Sequence, residues 1–367
     1  MANKQRVWEP MVRENARAVC ERVLARINGG EGPPSLTLPE SKAEFPKLLC
    51  LDMGIWVELA RVHYGKSLDP GASAALAAIR EATRTRRVVA PITTTNLDEA
   101  TKHPSEDRRK RLAEFMVGLS GNFSLLNGAV TRDHQIDCAV EKYLGVETLP
   151  SIRPYLIHWG LDAAGLGRPA RLPAMDPEYV ELVQQTLLEP EQSVVNLIYA
   201  LDAGYHAKMR QLEEGLVPVV DAARQADVHL PVKERMAGAF RYFLTSTNSY
   251  TRRIMFALVR RDVSEQAYVD LATDEARLMR FAEDLHQLYI WTRIQYERDR
   301  SGNDNPARND SRDGSFLGQA IAYANIVVTE KRWAHLANRT KIATRYGTRV
   351  IGRVDELPDS LKQEGCL

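Results

Sequence analysis

Cysteine is scarce in this chain, and the four present (Cys20, Cys50, Cys138 and Cys366) form no C-x-x-C pair. Neither a disulfide framework nor a zinc site is supported. Long apolar runs are missing as well. No window of about 18 uncharged apolar residues occurs, so no membrane-spanning helix is expected. The opening MANKQRVWEPMVREN lacks the apolar stretch of a secretion signal. Charge of one sign is not in excess: 49 Lys and Arg face 48 Asp and Glu, a net charge of +1. With no global field to attract nucleic acid or an anionic membrane, any phosphate-binding surface has to be local. Repeats and low-complexity tracts are absent. What remains is a globular composition, 44% apolar and 26% charged over 367 residues, enough for one large domain or two ordinary ones. The reading is a cytoplasmic protein.

Familiar catalytic motifs are missing too. YGKS at 64–67 has a Walker-like ending, but it closes a helical pattern and Ala60 stands where a glycine is required. GLDAAGLG at 160–167 follows no strand pattern, the eight histidines show no zinc-ligand spacing, and there is no G-x-S-x-G elbow.

The patterns that are present alternate. KLLCLD at 47–52 reads as a buried strand, followed by helical periodicity over 54–65 and 70–84. RVVAPIT at 87–93 reads as a second strand, with a helix over 96–119. FSLL and a helix over 132–144 come next. After residue 305, a helix in DGSFLGQAIAYA, a strand in NIVVT, a helix in EKRWAHLANRTK and a short strand in RVIG resume the alternation. Strand–helix repetition of this kind gives parallel pairing through right-handed crossovers. Between them, amphipathic stretches such as EYVELVQQTLL, VKERMAGAFRYFL and DEARLMRFAEDLHQLYIWTRIQYERDR carry helical periodicity alone. The expected organisation is an N-terminal helix and linker (1–46), an α/β domain with a mostly parallel central sheet (47–144 plus 305–352), an all-helical insertion (145–304) and a C-terminal tail (353–367).

In an open parallel sheet, ligands bind at the carboxyl ends of the strands, where the strand order changes direction. Acids collect at those ends: Asp52 closes the first strand, Asp98 and Glu99 follow the second, Asp310 and Asp313 open the helix before the fourth, and Glu330 closes the fourth. Singly, each has an ordinary explanation as a helix cap or a first-turn acid. Together they arrive at one edge from four chain segments, which caps alone do not explain. Crowded carboxylates repel unless a cation sits among them. Oxygen-only donors suit Mg²⁺ or Mn²⁺ rather than zinc.

These segments resemble the PIN-domain nucleases. LLCLDMGIWVELA is similar to that family's first acidic strand end, RVVAPITTTNLDEA to its second, and NDSRDGSFLGQAIAYANIVVTEKRW to the third and fourth. The resemblance covers about 145 residues in two pieces, and 17 residues separate Asp313 from Glu330, room for one helix and one strand. It implies a three-layer PIN-like fold and a metal-dependent endoribonuclease, with Asp52, Glu99, Asp313 and Glu330 as catalytic metal ligands for Mg²⁺ or Mn²⁺. Asp310 lies one turn before Asp313, so either acid or both fill the third position. The family's T-x-D at the fourth strand is replaced by Thr329-Glu330.

Thr95 and Asn96, before the second acid, and Lys331, Arg332 and His335, behind the fourth, are candidate substrate contacts; capping and solvation are the competing roles. The basic runs RTRR (84–87), RRKR (108–111) and RRD (260–262), with Arg252 and Arg253, are the local patches available to RNA. Tyr289, Trp291 and Tyr296 could stack on bases, but their helical spacing favours packing. By family analogy, an inhibitory protein partner, a homodimer and a toxin-like role are compatible with this reading. A catalytically degenerate RNA-binding or interaction scaffold, and a structure-selective DNA nuclease, are the alternatives.

Overall fold

A computed structural model describes residues 36–102, 105–160, 230–245, 249–300 and 310–367. Elements are numbered along these residues. The expected N-terminal helix, EYVELVQQTLL and the loop at 301–309 lie outside them.

Strand β1 (Lys47–Leu51) is buried along its whole length. A strand covered on both faces needs side chains that tolerate burial either way, which explains an unbroken apolar run in place of alternation. It pairs in parallel with β2 (Val88–Val89) on one side and β5 (Ile326–Val328) on the other; β6 (Arg349–Ile351) pairs in parallel with β5. The order is β2-β1-β5-β6. Chain order runs outward in both directions from the β1–β5 pair, so the crevice beside Leu51 and Val328 is the switch point at which such sheets bind ligands.

Successive residues of β1 serve different cores. Leu48 and Cys50 join one hydrophobic cluster, and Leu49 and Leu51 the other. The second cluster takes in α1 (Met53–His63), α2 (Pro70–Arg84) and α4 (Glu106–Ser120). The first draws on α5 (Gly128–Leu144), α6 (Val232–Thr245), α7 (Ser249–Val259), α8 (Glu265–Thr273), α9 (Glu275–Asp284) and α10 (His286–Arg300). It also includes α11 (Asp310–Tyr323), α12 (Lys331–Arg339) and α13 (Ile342–Arg345). The described helices of the long middle segment therefore share a core with the sheet.

Four features differ from the sequence expectation. The segment 145–304 is not purely helical: β4 (Ile157–Trp159) pairs antiparallel with β3 (Phe123–Leu125). Three residues are too few to register as a period. A parallel bridge between Ile92, in the segment that leaves β2, and Ser124 lies beside this pair, and the neighbours of Ser124 exchange N–H···O bonds of 2.9 Å with Ile92. The single helix expected over 96–119 is two, α3 (Thr94–Ala100) and α4, because Pro104 has no N–H to donate and Ser105 caps a fresh start. The tail is structured: Leu357 and Leu361 of α14 (Leu357–Gln363) are fully buried in the second cluster. The linker, finally, is stitched to the sheet. Lys42 Nζ donates to Ala324 O (2.8 Å), Tyr346 O (2.9 Å) and Thr348 Oγ1 (2.9 Å), while Arg153 Nε donates to Pro39 O (2.8 Å). Among the described residues, no helix is long and apolar enough to cross a membrane.

Candidate functional site

Asp52 leaves β1 at the switch point. Its own N–H continues the parallel ladder, donating to Val328 O at 2.9 Å, so the residue sits directly against the end of β5. One carboxylate oxygen, Oδ1, accepts the Met53 N–H at 2.7 Å and caps α1; the other, Oδ2, accepts the Thr329 hydroxyl at 2.8 Å. Cap and site residue are one side chain doing both jobs, because a carboxylate has lone pairs for several donors. Burial raises the pKa of Asp52, as does the charge of Glu330, while hydrogen bonds from Thr329 and from the Met53 and Glu330 backbone oppose the rise.

Glu99 arrives from α3. That helix is fixed to the same edge by Asn96, whose Oδ1 closes a capping box with Thr93 and whose Nδ2 donates to Leu51 O at 3.1 Å. Burial, then the negative charges of Asp52, Asp98 and Glu330, push Glu99 up to about 7 against the pull of Arg312. The adjacent Asp98 is engaged elsewhere, by Lys102 Nζ at 3.0 Å and Arg312 Nε at 3.1 Å.

Asp313 comes from the first turn of α11, which runs back toward the start of β5 and so begins at the carboxyl edge. Burial, then Asp52, Glu99 and Glu330, push it up to about 7, opposed by a hydrogen bond from Trp333 Nε1 to Oδ2 at 2.9 Å. Glu330 follows Thr329 at the N-cap position of α12, is exposed, and makes no side-chain capping bond.

Asp52, Glu99, Asp313 and Glu330 are thus electrostatically coupled: Asp52 and Glu330 each raise both Glu99 and Asp313. They do not form a closed chelate, for among the described residues no three His, Cys, Asp or Glu side chains stand as a ready-made metal-binding group. Asp310 is drawn away from the cluster into a buried ion pair with Arg298, which also holds Asp299 at 2.8 Å.

The expected substrate contacts divide. Asn96 is 1% exposed and spends its amide on the scaffold, so it is a positioning residue for α3 and not a surface contact. Thr95 is half-buried beside it; Lys331 and His335 are exposed on α12, and the Arg332 guanidinium lies 4.6 Å from the Trp333 ring centre. The RRD patch is neutralised, with Arg260 and Arg261 on Asp137 at 2.8 and 3.0 Å and Arg253 on Asp133 at 3.2 Å. Arg84 and Arg87 of RTRR bond Glu81 and Gly365 O. Arg108, Lys110 and Arg111 remain exposed on α4. Tyr289 and Tyr296, 7% and 9% exposed, are packing residues.

No protein-family model, curated protein or solved structure matches this chain.

Trp333 and Arg312, which hold or balance the acids, carry no mark in the sequence, and Thr329, visible there only as the residue before Glu330, proves to hold Asp52. Thr329 stands next to Glu330, so proximity alone could have marked it. The Trp333 contact spans 20 residues and two elements, and nothing in the local pattern announces it. Gly314 has a similar hidden role: a Cβ there would run into the Trp291 indole, so glycine is what lets α10 close onto the first turn of α11 beside Asp313.

Proposed function

We propose that this protein is a Mg²⁺- or Mn²⁺-dependent endoribonuclease built on a PIN-like three-layer core, with Asp52, Glu99, Asp313 and Glu330 as the metal-binding acids. The observation that carries the reading is the convergence of these acids at the β1–β5 switch point, where burial and then the charges of Asp52 and Glu330 push Glu99 and Asp313 up to about 7. Four carboxylates from four segments, with Arg312 opposing the rise at Glu99, make a donor set whose oxygens suit a hard divalent ion. Such an ion, when bound, supplies a water of lowered pKa and neutralises charge on a phosphodiester in displacement.

The chain's own residues prepare that chemistry. Thr329 and the Met53 N–H hold the Asp52 carboxylate in one orientation. Asn96 fixes α3 and therefore Glu99. The exposed Lys331 is the cation beside Glu330 that would meet the phosphate backbone, while Arg332 rests on Trp333. RNA is preferred over DNA on the resemblance alone.

A second reading has its own observation. The exposure of Glu330 and the absence of a closed three-acid group among the described residues favour a PIN-like scaffold that binds RNA or protein without cutting. Thermal denaturation in EDTA, Mg²⁺ and Mn²⁺ separates the two. A working cluster gains about 2.7 kcal/mol at a metal concentration 100 times the dissociation constant, and a degenerate one gains nothing. Offering single-stranded RNA, tRNA and flapped DNA side by side decides between RNA and DNA.

A further inference from the structure

At the end of the sheet opposite the acids lies a cleft of about 810 Å³, within the range of about 300–1,000 Å³ typical of small-molecule sites. Val88 and Val89 of β2 line it, and Val88 pairs with Lys47, the first residue of β1. The ends of α1, α2 and α4 line it as well. α1 begins at its Asp52 cap and reaches the cleft at His63, 11 residues on, a rise of about 16 Å at about 1.5 Å per residue. A small ligand in the cleft therefore does not share the acidic site.

The charge here is of the opposite sign. Arg80, Arg84 and Arg86 line the cleft against a single acid, Glu114. Arg84 is held by Glu81 at 2.7 Å, whereas among the described residues neither Arg80 nor Arg86 has an ion pair. Arg86 also stands in an unusual place. α2 ends at Arg84 with Thr85 as its cap, and Arg86 follows at φ 54°, the left-handed position that glycine ordinarily fills. What arginine adds over glycine there is a guanidinium on the cleft wall. The apolar part of the wall is rich in rings. His63 and Tyr64 are exposed on it with ring centres 4.7 Å apart, and Phe115 backs the imidazole at 5.2 Å. Arg80 Nη2 lies 2.7 Å from His63 Nδ1. A guanidinium can only donate, so Nδ1 accepts and the neutral ring carries its proton on Nε2, a further donor for a ligand. Guanidinium groups recognise phosphate, and exposed rings stack on planar ring systems. A ligand that offers both is a phosphorylated nucleoside.

We propose that the cleft between the ends of α1, α2 and α4 binds a nucleoside phosphate, with the phosphate on Arg80 and Arg86 and the base against His63 and Tyr64. The assignment uses neither a divalent cation nor cleavage at the acidic edge.

The test is titration calorimetry of the full chain in EDTA with the ribonucleoside 5′-monophosphates, a 5′-phosphorylated oligouridylate and inorganic phosphate. Arg86→Gly removes the guanidinium where glycine suits the backbone, so this variant keeps its fold. Gly118→Phe fills the cleft and leaves every arginine in place, since a Cβ at Gly118 meets nothing within 4 Å. The expected result is that at least one monophosphate binds wild type, binds Arg86→Gly about 10- to 100-fold more weakly, and does not bind Gly118→Phe. An oligouridylate that binds more tightly than the monophosphates, with the same response to both variants, makes the natural ligand an RNA end; weaker binding makes it a free nucleotide. Wild type that takes up no nucleotide, inorganic phosphate bound as tightly as the monophosphates, or equal affinity in wild type and Arg86→Gly each overturns the assignment and leaves the acidic site untouched.

Discussion

Replacing an acid that is thought to be essential should make the metal-free protein more stable. Asp313 is held near 7 against an ordinary value of 3.8, chiefly by burial and then by Asp52. Its folded-state pKa exceeds its unfolded one, so below about pH 4 both states carry the proton and the stabilising difference is complete. Between there and about pH 7 the unfolded chain loses the proton first, and folding stability falls as pH rises, flattening once the folded carboxyl has ionised. One pKa unit is worth about 1.4 kcal/mol, which caps the loss at about 4 kcal/mol. Part of that cost is repulsion shared with Asp52, Glu99 and Glu330, so removing one charge should recover about 2 kcal/mol at pH 8. In Asp313→Asn the amide oxygen can still accept the Trp333 N–H, leaving charge as the main change. Urea denaturation in EDTA from pH 5 to 9 reads it directly. Wild type should weaken as pH rises toward 8, Asp313→Asn should slope less, and the variant should be the more stable at pH 8. A variant less stable than wild type at pH 8, with the same slope, would refute the claim that these acids are crowded and uncompensated.

Other substitutions separate the site from its supports. Asp310→Ala removes one of the two acids on buried Arg298, which keeps Asp299, and should cost about 1.5–3 kcal/mol in urea denaturation, yet leave the Mn²⁺-induced rise in melting temperature unchanged; loss of that rise would put Asp310 back among the ligands. Gly314→Ala drives a methyl into the Trp291 indole and should cost about 1–3 kcal/mol by the same assay, with a neutral result showing that α10 and α11 are less tightly seated than their packing implies.

The parallel sheet and the acids at its edge were legible because both leave local marks. An unbroken apolar run ending on Asp52 and a second ending on Thr329-Glu330 announce strands and their carboxyl ends, and parallel topology then brings the ends together. The split at Ser105 could have been read from Pro104. What escaped has no local signature. Trp333 and Asp313 are one hydrogen bond apart only because α11, β5 and the start of α12 fold back on each other. Asp310 and Asp313 look interchangeable one turn apart, yet helical rotation turns one toward Arg298 and couples the other to Asp52. Asn96 looks like a surface amide in TTTN, and burial in a capping box makes it scaffold. β4 pairs with a strand more than 30 residues away and owes its existence to that partner.

The central claim is that the coupled acids cut RNA with a divalent cation, and Asp52 is the residue on which it turns. Purified wild type and Asp52→Asn should be given single-stranded RNA in Mn²⁺ and in EDTA. Cleavage by wild type in Mn²⁺, abolished in EDTA and reduced at least about 100-fold in a folded Asp52→Asn, is the predicted outcome. Wild type and Asp52→Asn cutting at the same Mn²⁺-dependent rate, or wild type leaving the RNA intact, would contradict it.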